Sequence, residues 1–180
     1  MAIDKRRAID QALHFTKQGR LDRAIAEYQV ALKADPTDAA LYNALGDLYA
    51  RTGAKAEAIN QYLRLAELYR GDGLTVKAIA VYKKVIKQDP TNLAAYVACA
   101  DLYAEQGLVV EARQHLLTVA EHYTREGLTR KVLEIYQKIA DLSPGNLTSS
   151  LDLAEMLIKE GLLGDALARL EKVAHAYQAA

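Results

Sequence analysis

The chain has no tryptophan, one phenylalanine, one cysteine and three prolines in 180 residues, and these scarcities exclude several classes of protein. A single thiol, Cys99, cannot form an internal disulfide, so the fold is not cystine-stapled and a reducing, cytoplasmic setting is expected. Charge of one sign is not in excess either, since 23 Lys and Arg balance 23 Asp and Glu. Without a net field to hold phosphates, nucleic acid and membrane surfaces are not expected partners. Uninterrupted apolar runs fall well short of the ~18 residues of a spanning helix. The N-terminal Met-Ala-Ile-Asp-Lys-Arg-Arg leads into an amphipathic pattern rather than a signal-peptide core. What is abundant is apolar side chain, 51% of residues, enough to bury a continuous core in one ordinary domain.

The three prolines, Pro36, Pro90 and Pro144, are evenly placed, so the chain repeats with a period of 54. Residues 36–89 and 90–143 match at 22 of 54 positions, including Asp-Leu-Tyr-Ala at 47–50 and 101–104 and Gly-Leu-Thr at 73–75 and 127–129. A fixed period means a chain built of copies. Most of the breaks between copies fall at glycines or short polar turns, and between them apolar residues recur at i, i+3, i+4 and i+7, the helical period. Ten helices are predicted, over 2–17, 21–34, 38–51, 55–70, 74–88, 92–105, 109–124, 128–141, 147–159 and 163–178. No strand-length alternation occurs, so the class is all-α.

Counted back from each proline, small and aromatic residues recur at fixed places. They are Ala8, Ala12, Phe15, Gly19, Ala24, Tyr28, Ala31 and Pro36, and then Tyr42, Leu45, Gly46, Tyr49, Gly53, Ala58 and Tyr62. This pattern resembles the tetratricopeptide repeat, of bacterial type, whose unit is ~34 residues in two antiparallel helices. The chain departs from it because Tyr62, Leu65, Ala66, Tyr69 and Gly73 fit the opening-helix positions of a further repeat. The helix at 55–70 thus serves two registers, as does that at 109–124, and units of three helices are expected. The resemblance implies a TPR-like α-solenoid of about ten antiparallel helices wound as a right-handed superhelix. It would form a single domain over 1–180, with a partial unit 1–35, full units 36–89 and 90–143, and a partial unit 144–180.

Other constellations read as packing. Most of the eleven tyrosines fall on the repeat's packing positions. His14, His115, His122 and His175 follow no metal-ligand spacing, and Ser149-Ser150 has no neighbouring histidine to activate it. Neither metal, cofactor nor enzymatic chemistry is therefore expected. The resemblance implies a protein-interaction scaffold that holds a peptide or helix on a concave face lined by opening helices. Carried over residue by residue, that face consists of Asn43, Asp47 and Arg51, then Val97, Asp101 and Glu105, then Leu151, Glu155 and Lys159. One rung is acidic throughout (Asp47, Asp101, Glu155), which suggests a basic partner. The alternative is that Asp47–Arg51 and Glu155–Lys159 are i,i+4 pairs on a solvated face.

The ends differ. Leu167, Leu170, Val173, Ala174 and Tyr177 form a stripe whose counterparts in earlier copies would lie under a further helix, whereas the first helix carries Lys5, Arg6, Arg7, Asp10 and Gln11. The C-terminal helix is therefore expected to be an association surface, giving a homo-oligomer or filament, or receiving a further helix; the alternative is that Leu170 and Val173 bury themselves against 147–159 and leave too little exposed to matter. Two alternatives to the scaffold follow: a self-assembling structural subunit, and an interaction module of a longer regulatory or assembly protein.

Overall fold

The computed structural model describes residues 4–143 and 147–178, with side chains as far as His175. Pro144 and the start of the first predicted helix lie outside the described residues. So does the Tyr177 side chain. Ten α-helices are found among the described residues: α1 (Lys5–Lys17), α2 (Leu21–Ala34), α3 (Ala39–Thr52), α4 (Lys55–Gly71), α5 (Thr75–Gln88), α6 (Leu93–Glu105), α7 (Val109–Arg125), α8 (Thr129–Asp141), α9 (Leu147–Lys159) and α10 (Leu163–Gln178).

Local chemistry places the boundaries. Asp4 caps α1 by accepting from Arg7 N, and Asp38 caps α3 by accepting from Ala40 N at 2.8 Å. Ahead of α3, Asp35 accepts from both the backbone N–H (3.1 Å) and the hydroxyl (2.9 Å) of Thr37, folding the turn around Pro36. Asp89 does the same with Thr91 around Pro90. Positive-φ glycines follow α1, α3, α4, α6, α7 and α9, at Gly19, Gly53, Gly73, Gly107, Gly127 and Gly161. At Gly53, φ of 82° lets the chain leave α3 in the left-handed conformation without a Cβ penalty. These stops alternate between wide and narrow spacing. Gly19 to Gly53 and Gly73 to Gly107 each enclose a helix pair, while Gly53 to Gly73 and Gly107 to Gly127 each enclose a single helix. The period of the sequence is thus a helix pair plus one extra helix with its turn.

Two compact bodies result, Met1–Ala95 and Tyr96–Ala180. In the first, α1 packs on α2, α2 on α3, and α4 on both α3 and α5, so α4 serves two neighbours as its double pattern implies. Its core includes Ala12, Ala24, Tyr28, Leu41 and Leu45. In the second, α7 packs on α8, α8 on α9 and α9 on α10. The first helix offers water a polar face. Arg7, Gln11 and His14 are exposed at the positions where α3, one helix pair further on, buries Leu41, Leu45 and Leu48.

Lys5 ties α1 to the turn before α3, reaching Asp35 at 2.6 Å and Asp38 at 2.7 Å. The Lys5 ammonium, then the Thr37 hydroxyl and N–H, hold the Asp35 carboxyl down to about 2, and Lys5 lowers Asp38 as well. A carboxyl depressed on folding binds fewer protons in the native state. Its stabilisation is present above the unfolded value of 3.8 and is lost as pH falls through the folded one. Thermal midpoints should therefore drop between about pH 4 and about pH 2, and Lys5→Met should flatten that slope. Parallel curves for variant and parent would show that the clip is not formed in solution.

Candidate functional site

The acidic rung is built into the helix packing. In the first body, the Lys84 ammonium of α5 donates to Asp47 Oδ1 at 2.8 Å and to Asn43 Oδ1 at 2.9 Å, bridging α5 to α3. Tyr62 of α4 donates its hydroxyl to the same Asp47 oxygen at 2.6 Å, and Lys84 lies 5.0 Å above the Tyr62 ring. Burial, and secondarily the Asp47 carboxylate, push the Tyr62 hydroxyl pKa up, so it stays a donor. In the second body Lys138 of α8 pairs with Asp101 of α6 at 2.6 Å, both partners standing one full period after Lys84 and Asp47. Asp47 is thus neutralised by a lysine two helices away, rather than by Arg51 one turn along, and Asp101 likewise. Sequence alone missed the lysines, although Lys84 and Lys138 are among the 22 matches. Nothing local links Lys84 to Asp47 across an intervening helix.

Of the other residues expected to line a partner-binding face, Asn43 is half-buried and Arg51 exposed in the first body, while in the second Val97 is half-buried and Glu105, Leu151, Glu155 and Lys159 are exposed. Glu155 has no ion pair among the described residues. In α10, Leu167 is 60% exposed and Ala174 exposed, whereas Leu170 and Val173 are half-buried, Val173 beside Leu147 and Ser150 of α9.

A groove that the sequence did not signal opens in the first body, on the side of α3 opposite its Asn43–Asp47 stripe. Three adjoining depressions of about 530, 660 and 690 Å³ run between α2 and α4 over Tyr42 and Leu45 of α3. Pro36, Leu32 and Gln61 line it, with the Arg64–Glu67 pair at the rim. Tyr42 is held by donating to Pro36 O at 3.0 Å, and Tyr49 by accepting from Gln29 at 2.7 Å. Gln61 Oε1 is buried without a donor among the described residues. In the second body a ring stands at the equivalent place. His115, one period after Gln61, lies 5.7 Å from Tyr96 and stacks on Tyr103 at 5.5 Å, and these two are the counterparts of Tyr42 and Tyr49.

Comparison with known proteins places the helix pairs in a family. The model described as TPR repeat matches residues 12–53, and models described as tetratricopeptide repeat match 39–72 and 69–128. The chain belongs to the tetratricopeptide-repeat (TPR) family. Among curated relatives, it is 27% identical over 86 residues to Superkiller complex protein 3 of Mus musculus, covering 48% of this chain and 6% of that one. It is 32% identical over 124 residues to Protein IFIT1 homolog B of Homo sapiens, covering 68% of this chain and 24% of that one. The chain therefore spans a small part of the length of the curated relatives it matches. A solved tetratricopeptide repeat protein from Parabacteroides merdae ATCC 43184 aligns over 96% of this chain and 79% of its own, at 21% identity and a TM-score of 0.34. The TPR fold is that of a protein-interaction scaffold. Among the described residues no helix is long and apolar enough to cross a membrane.

Proposed function

We propose that this TPR protein holds a peptide or helix of a partner protein, and that the groove between α2 and α4 of the first body receives it. The observation that carries this reading is the difference between equivalent sites. His115 occupies the place between two tyrosines in the second body, while the first has Gln61 there, with a buried, unsatisfied oxygen at the wall of an open depression lined by polar and apolar groups alike. A buried acceptor without a donor costs roughly 1–3 kcal/mol, so an incoming N–H at that point gains accordingly. Leu32, Leu45 and Leu68 supply apolar surface there, and Asn60, Gln61 and Arg64 supply polar groups that fix orientation, the two ingredients of a ligand cleft.

The opening-helix face supplies a second reading, favoured by the exposure of Arg51 in α3 and of Leu151, Glu155 and Lys159 in α9. A basic segment there would have to displace Lys84 or Lys138 from Asp47 or Asp101, which weakens the case for a basic partner. A peptide selected from a displayed library against the whole chain separates the two. Under the groove reading Gln61→His, which installs the ring of the second body, reduces binding at least tenfold and leaves the thermal midpoint unchanged or higher. Binding that survives Gln61→His but is lost in Arg51→Ala or Glu155→Lys would move the site to the opening helices.

A further inference from the structure

The place held by Gln61 in the first copy and by His115 in the second is held by Arg169 in the third, one period further along. Its surroundings change with it. Ser150 of α9 stands where Tyr42 and Tyr96 stand in the earlier copies, and Lys172 of α10 where Arg64 and Thr118 stand. A serine takes up none of the space that the Tyr96 ring fills beside His115, and here a depression of about 210 Å³ opens between α8, α9 and α10. It lies wholly within the second body. Its counterpart in the first body is open although α5 follows and packs on α4, so the opening belongs to the side between α8 and α10 and does not depend on what adjoins α10 elsewhere.

Three donor side chains line this depression. Arg169 and Lys172 stand three residues apart, hence on one face of α10, and Ser150 meets them from α9. The Nε of Arg169 is buried without an acceptor, and neither Arg169 nor Lys172 has an ion pair among the described residues. Ser150 is 5% exposed, and its hydroxyl has no hydrogen-bond partner among the described residues. Buried polar groups nearly always find partners, so neighbouring donors that lack an acceptor mark a place for one. In the first copy Arg64 is occupied by Glu67 at 3.1 Å, but His175 stands at the position equivalent to Glu67 in the third. Asp141 of α8 is the one carboxylate that lines the depression; it accepts from Gln137 at 2.8 Å and pairs with neither cation. A surplus of positive charge remains.

We propose that Ser150, Arg169 and Lys172 form an oxyanion site for a phosphoryl group. The guanidinium offers paired donors, the ammonium a point charge and the hydroxyl a further donor, which together serve the three terminal oxygens and the near-double negative charge of a phosphoryl group. A carboxylate, with two oxygens and one charge, would leave a donor unused. This site is separate from the groove of the first body, and it stands whether or not that groove holds a peptide.

Inorganic phosphate is the probe, titrated into the full chain at constant ionic strength. The reporter is the Nε–H resonance of Arg169, assigned by its loss in Arg169→Lys. A saturable shift is expected, with Lys172→Gln and Ser150→Ala each weakening the affinity by about threefold or more. Ser150→Tyr, which restores the ring of the other two copies, should abolish it while the helical circular-dichroism signal is kept. Asp141→Asn should tighten binding, because it removes the competing carboxylate, and an unfolded variant cannot produce such a gain. Tighter binding of N-acetylphosphoserine amide than of inorganic phosphate would place the phosphoryl group on a partner's side chain; the reverse order would make free phosphate the ligand, and either supports the site. No saturation up to about 20 mM phosphate would overturn the proposal. So would a shift that persists in both Lys172→Gln and Ser150→Tyr, or one that acetate reproduces at the same concentrations, which would assign the donors to a carboxylate.

Discussion

Gly46→Ala should destabilise the first body, although alanine is the better helix former. Gly46 is buried within α3, and a Cβ there would lie 2.5 Å from Cε1 and 2.7 Å from Cδ1 of the Tyr62 ring. That ring is 3% exposed and anchored by its hydroxyl on Asp47, so it has little room to move. Overpacking of this kind costs roughly 1–3 kcal/mol, against a gain of about 0.5–1 kcal/mol from replacing a mid-helix glycine. The copies show how the clash is avoided: where Ala100 replaces Gly46, Leu116 replaces Tyr62, and the third copy pairs Ala154 with Leu170. Gly46→Ala combined with Tyr62→Leu should therefore be more stable than the sum of the single changes predicts, with a coupling of about 1 kcal/mol or more. Denaturant unfolding of the four proteins measures it, and strict additivity would mean that Gly46 and Tyr62 do not meet as described.

Ala66→Leu and Ala120→Leu should each cost roughly 1–3 kcal/mol, because each small side chain is fully buried, in α4 and α7, the helices that pack on α5 and α8, and a leucine has no volume to enter. Ala174→Leu, at the equivalent position of α10, should fall within about 0.5 kcal/mol of the parent, because that position is open. Helix propensity does not explain such a difference, since alanine and leucine differ little. The comparison of Ala120 with Ala174 is the stricter one, as both lie in the second body. Equal losses at these two positions in thermal unfolding would show that α10 is covered in the free chain.

Helix order and boundaries were legible in the sequence because their determinants are local. A positive-φ glycine, an aspartate cap and an Asp-Pro-Thr turn act within a few residues, and the predicted ranges differ from the observed ones by one residue at most wherever both ends are described. The repeat also placed the small residues at helix crossings. The polar first helix and the apolar tenth were equally readable, since each is a stripe on a single helix.

What each stripe meets was not readable. Asp47 and Arg51 stand one turn apart and form a natural pair on paper, yet Asp47 is held by Lys84 and Tyr62 from two other helices. Likewise, Gln61 and His115 are equivalent letters of the period, but whether a groove stands open beside them depends on how far α2 and α4 are held apart over Tyr42. Sequence alone determined the family, the helices and their period, through interactions that span a helical turn or so. Only the tertiary structure decided which charges are paired internally and which surfaces remain open, because these depend on distances between helices, and side-chain volumes at the crossings set those distances.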